Sequence, residues 1–71
     1  MTETVYDVKG MTCGHCVASV TAEVGKIAGV TGVLVDLRSG AVTVSSTAPL
    51  TRSDVAAAVD EAGYELTGVR S

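Results

Sequence analysis

Along this chain the hydrophobic period switches from two to 3.6 and back, and then repeats the cycle, all within 71 residues. Thr4, Tyr6 and Val8 alternate with Val5, Asp7 and Lys9, which predicts a half-buried strand from Thr4 to Val8. Between His15 and Ala28 the apolar positions Val17, Val20, Val24 and Ile27 recur at helical spacing, with Ser19, Glu23 and Lys26 between them. Gly29 suits the C-terminal cap of that helix. Val33, Val35 and Leu37 then alternate with Leu34, Asp36 and Arg38. After "RSGA", Val42 and Val44 stand opposite Thr43 and Ser45, so a Gly-containing turn joins two strands into a hairpin.

Pro49 blocks extension of structure from upstream, and Thr51 followed by Asp54 reads as a variant of the capping box. The helix that follows carries an apolar stripe of Val55, Ala58, Val59 and Ala62, and Gly63 is suited to stop it. Tyr64 to Val69 is the last predicted strand. The order β-α-β-β-α-β is the pattern of an α+β, ferredoxin-like sandwich, in which two helices cover one face of a four-stranded antiparallel sheet. A chain of this size supports one small domain, expected over 1–71. With no Trp and no Phe, its core has to be built from Val, Ala, Leu and Ile.

Charge narrows the function classes. Five basic residues against eight acidic ones give a net charge of −3, and Lys9, Lys26, Arg38, Arg52 and Arg70 are scattered, which argues against nucleic acid. The opening Met-Thr-Glu-Thr shows no basic leader, and no apolar run has the length of a signal peptide or a membrane span, so the cytoplasm is the expected compartment.

The chemistry lies in "GMTCGHCVASV", where Cys13 and Cys16 are too close in sequence for a disulfide to staple the fold. Cys13 falls in the loop after the first strand and Cys16 in the first helical turn, where backbone N–H groups and the helix dipole favour thiolate. Thiolate serves both disulfide exchange and metal binding. A thioredoxin-type fold needs a longer chain and another layout, and Met11 and Thr12 stand where such sites carry an aromatic residue. Two sulfurs are too few for a closed structural zinc site, whereas copper(I) accepts two soft thiolates in a near-linear arrangement. Both thiols are expected outside the core, so that replacing them leaves the fold intact.

"GMTCGHCVASV" together with "AAAVDEAGYEL" resembles the heavy-metal-associated domain family, and within it is most similar to the small bacterial copper chaperones, over Val5 to Leu66. The resemblance implies that Cys13 and Cys16 bind copper(I) and hand it to a copper-exporting P-type ATPase, with no reaction catalysed. It makes Met11 the buried methionine that anchors the loop without touching the metal, and Tyr64 the tyrosine that bacterial members carry near the metal. A copper-bridged homodimer sharing four thiolates is compatible with it, as is an excised ATPase domain with the same motif. Thiol-disulfide exchange is the enzyme-class alternative. Zinc, cadmium or mercury transfer is a further one, although Thr12 stands where a zinc or cadmium domain is expected to carry an acid.

Four features have blander readings beside these, the first being Tyr64, which as the largest side chain on its strand also reads as a simple aromatic plug. Met11 is also an irregular gap-filler of a core. His15 lies between the cysteines and is assigned to tuning of thiol acidity or metal exchange, or to a plain exposed position. Asp60, Glu61 and Glu65 form either a solvated face or a docking edge for a basic partner.

Overall fold

The computed structural model describes residues 2–11 and 14–70. The elements run β1 Thr2–Lys9, α1 Gly14–Gly25, β2 Val30–Asp36, β3 Ala41–Ser46, α2 Arg52–Glu61 and β4 Glu65–Val69. The strands form one sheet in the order β2-β3-β1-β4, with every neighbouring pair antiparallel. This is the ferredoxin-like arrangement that the hydrophobic periods predict.

Alternation explains which face is covered. Tyr6 and Val8 of β1 and Val42 and Val44 of β3 point to one side, where they meet Val20 and Val24 of α1 and Val55 and Val59 of α2 in one buried cluster. Both helices therefore lie on that face. Valine suits the narrow space between helix and sheet: its branched side chain is stiff and fits a pleated surface, and each fully buried copy contributes about 1.5–3 kcal/mol. Ser46 is buried among them, and its hydroxyl donates to the Ala48 carbonyl at 2.7 Å.

α1 is shorter than its periodicity suggests. It stops at Gly25, after which Lys26 and Ile27 donate to Glu23 and Val24 in bonds that tighten the last turn. Ile27 still packs on the core from outside the helix. Gly29 is consequently no cap; it lies in the turn into β2, where its carbonyl accepts from the Thr47 N–H at 2.8 Å. β2 begins at Val30, ahead of the predicted Val33, and its register against β3 shifts between Val30 and Gly32. Leu37 leaves the strand for the hairpin turn.

The two ends of α2 follow the expected chemistry. Thr51 is extended, with φ −80° and ψ 145°, and its side-chain oxygen accepts from the Asp54 N–H at 3.2 Å. At the other end Gly63 takes φ +92°; its N–H donates to Asp60 and the Tyr64 N–H donates to Val59. This pair of bonds is a Schellman motif, which requires the left-handed residue and brings Tyr64 back against Val59.

β4 starts at Glu65, one residue later than expected, and leaves Tyr64 in the link. Its pairing with β1 contains a bulge: Asp7 faces Gly68 while Val8 faces Leu66, so Thr67 is the extra residue. The Thr67 hydroxyl donates to the Asp7 carbonyl at 3.2 Å, and Arg70 pairs its guanidinium with the Asp7 carboxylate. Among the described residues no helix is long and apolar enough to cross a membrane.

Candidate metal centre

One end of the molecule gathers three segments: Gly10 and Met11 where the chain leaves β1, the first turn of α1, and Tyr64 between α2 and β4. Helical spacing places Cys16 on the same stripe as Val20 and Val24, which faces the sheet. Cys16 is only 4% exposed and belongs to the hydrophobic cluster. This corrects the expectation that both thiols lie outside the core. Positions 16 and 17 are both compatible with a stripe through Val20 and Val24, and the docked helix turns Cys16 inward while Val17 stays half-exposed.

The Tyr64 hydroxyl reaches this sulfur. Tyr64 Oη donates to Cys16 Sγ at 2.8 Å, across 48 positions of sequence. A donor hydroxyl and the positive end of α1 thus converge on one sulfur, and both stabilise negative charge there. The Schellman turn at Gly63 starts the ring on its course, and packing of Tyr64 against the core cluster completes it.

Met11 is buried in the same cluster. His15 is exposed, on the outer side of the helical turn that buries Cys16. Cys13 and Thr12 lie outside the described residues. Among the described residues no three His, Cys, Asp or Glu side chains come together. Asp60, Glu61 and Glu65 are all exposed on either side of Tyr64.

Gly10 is the member of this end to which the sequence assigns no role. It has φ +100°, and a Cβ built on it lies 3.3 Å from Cδ1 of Tyr64. The available signal was a glycine at the end of a strand, directly before Met11. Nothing local points from it to a ring contributed by the far end of the chain.

Residues 5–65 match the model of the heavy-metal-associated domain. Over 67 residues the chain is 39% identical to the copper chaperone CopZ of Bacillus subtilis, an alignment covering 93% of this chain and 97% of that protein. Among solved structures, a CopZ metallochaperone superposes with a TM-score of 0.86 at 31% identity, over 93% of this chain and 100% of the other. A copper-binding domain from a P-type ATPase superposes with a TM-score of 0.84 at 27% identity, over 100% of both chains.

Proposed function

Because the chain belongs to the heavy-metal-associated domain family, we propose that it is a copper(I) chaperone that binds one ion through Cys13 and Cys16 and delivers it to a copper-exporting P-type ATPase. The observation that carries this reading is the Cys16 sulfur, set in the first turn of α1 and accepting the Tyr64 hydroxyl. The helix terminus and the hydroxyl favour the anion against the sulfur's apolar burial, and a thiolate is what a soft, low-coordinate cation takes as a ligand. Likeness to a protein named a copper chaperone, over nearly the whole chain, favours copper among the soft metals.

In this reading copper is cargo and nothing is catalysed. A two-coordinate copper(I) has room for a third sulfur, so an acceptor thiolate joins before either cysteine lets go, and no copper is released into water. Tyr64 shares or yields its bond to Cys16 as the metal arrives. Met11 holds the loop from below, and exposed His15 tunes exchange from outside. The whole of 1–71 acts as one module in the cytoplasm, and two such modules associate when one copper-sulfur centre recruits four thiolates.

Anaerobic titration against a chromophoric copper(I) chelator tests the assignment. One copper per chain is expected, and the double variant Cys13→Ser/Cys16→Ser should no longer compete; undiminished competition by that variant would falsify the ligand assignment. Element-resolved analysis of the reduced protein separates copper from zinc, cadmium and mercury. A second reading, that the chain is a domain of a copper-exporting ATPase, is favoured by the full-length superposition on such a domain. Immunoblotting of cell extract decides between them, since a chaperone runs as a small polypeptide and a domain runs with its membrane protein.

A further inference from the structure

We infer that Gly10 is a positioning residue: its missing side chain lets the Tyr64 ring lie where its hydroxyl meets Cys16, so that a residue which touches no metal governs how well that sulfur is covered. The inference rests on the reading of Cys16 as a ligand only for its consequence in copper exchange; the geometry stands without it.

A Cβ at position 10 falls 3.3 Å from Cδ1 of Tyr64, close enough that the ring has to give by a few tenths of an ångström. The ring has little freedom to yield elsewhere. Its backbone is fixed by the Schellman bonds of Gly63 and Tyr64 to α2, and its body packs on the core cluster. Rotation about Cβ–Cγ would move Cδ1 without moving Oη, but it turns the ring's face into the core side chains packed against it, so the ring gives by swinging about its Cα–Cβ bond. Cδ1 lies near that pivot and Oη at the far tip, so a push at Cδ1 grows along the ring. The hydrogen bond at the tip is 2.8 Å long, and it is the contact that takes up the displacement. Gly10 is thus required twice, once for its left-handed backbone at φ +100° and once for the space under the ring.

The two requirements are separable. Gly29 also has a left-handed backbone, at φ +90°, but lies beyond the other end of α1, where an added Cβ meets only the Thr47 hydroxyl at 3.2 Å. Gly29→Ala therefore carries backbone strain without touching Tyr64. Gly10→Asn is the complement to Gly10→Ala, because asparagine tolerates positive φ better than alanine and still brings a Cβ to the ring. It keeps the test open if Gly10→Ala does not fold.

The readout is the plateau rate at which iodoacetamide alkylates Cys16, taken at a pH high enough that the thiol is fully ionised in every variant, so that the rate reports how well the thiolate is covered and not what fraction is ionised; it is followed by mass spectrometry in a Cys13→Ser background so that one thiol reports. Tyr64→Phe removes the hydroxyl and should speed alkylation about two- to tenfold, the factor that one net hydrogen bond supplies. Gly10→Ala and Gly10→Asn should each accelerate alkylation by no more than Tyr64→Phe does, and adding Tyr64→Phe to either should give the rate of Tyr64→Phe alone. Gly29→Ala should leave the rate within twofold of the parent, by the same scale. A general loosening of the fold multiplies with the effect of Tyr64→Phe, whereas loss of the same bond does not. Parent-like alkylation in both Gly10 variants, multiplicative effects with Tyr64→Phe, or equal acceleration by Gly29→Ala each overturns the inference. Copper is scored separately, in chains that retain Cys13. A chain that fails to bind copper but keeps the alkylation pattern removes the chaperone reading and leaves the placement of Gly10 intact.

Discussion

The two helices cover the same face of the sheet but begin in opposite ways. At the start of α2 the chain supplies its own acceptor and its own charge: the Thr51 hydroxyl accepts the Asp54 N–H, and Asp54 stands in the first turn with its carboxylate. The first turn of α1 contains no acidic residue. What it holds instead is Cys16, whose sulfur accepts a hydroxyl brought from the other end of the sequence. The positive end of α2 is answered locally and the helix is simply capped; at the start of α1, among the described residues, what meets the positive end is the Cys16 sulfur. The inner stripes differ in the same sense. α2 presents Val55 and Val59 to the core, whereas the stripe of α1 begins at Cys16 before reaching Val20 and Val24, so on the proposed reading one side chain serves both packing and metal binding.

Cys16→Ser attacks that double role and should have the largest effect. Serine is smaller and places a hydroxyl in an apolar cluster, which costs about 1–3 kcal/mol of stability. Urea unfolding measures this, and copper capture in the chelator titration should collapse in the same protein. A variant that unfolds at the parental urea concentration would mean that the sulfur is no part of the core, and the contrast with Val55 and Val59 would fail.

Much of this contrast was legible in the sequence, and the remainder was hidden for identifiable reasons. Thr51 and Gly63 act through bonds to residues three or four positions away, so the limits of α2 can be read locally. The place of Cys16 in the first turn of α1 is equally local. The direction in which Cys16 faces is not, because Val17 competes for the same stripe and only docking on the sheet decides. Gly10, Cys16 and Tyr64 meet through the crossing of β1, α1 and the α2–β4 link. The bulge at Thr67 and the pairing of Asp7 with Arg70 likewise depend on two strands from opposite ends of the chain.

Thr51→Ala tests the other side of the comparison. Loss of the side-chain acceptor should cost about 1 kcal/mol, read as a lower urea midpoint with an unchanged slope. Copper release to a chelator should stay at the parental rate, because Thr51 serves only the start of α2. Faster release in this variant would show that the start of α2 is energetically tied to the sulfur, and the two helix starts could no longer be treated as independent.

The smallest expected effect comes from giving α1 what α2 already has. Gly14 is exposed in the first turn, and an added Cβ there meets nothing within 4 Å, so Gly14→Asp introduces a carboxylate without a clash. Gly14→Asn is the reference, since it changes the backbone preference similarly and carries no charge. Relative to asparagine, aspartate should stabilise the metal-free protein by about 0.3–1 kcal/mol through the helix dipole. At a pH low enough that both thiols are protonated in the metal-free protein, binding exchanges two protons for one copper(I) and places one net negative charge beside the aspartate, which should weaken copper binding about two- to fivefold, the factor corresponding to that energy. The two effects therefore have opposite signs, and both should shrink as salt is raised. If aspartate raises stability but leaves copper affinity equal to that of the asparagine variant, the positive end of α1 plays no part in holding the metal. Charge on sulfur would then depend on the Tyr64 hydroxyl and the thiolate–copper bonds, and the difference between the two helix starts would concern folding alone.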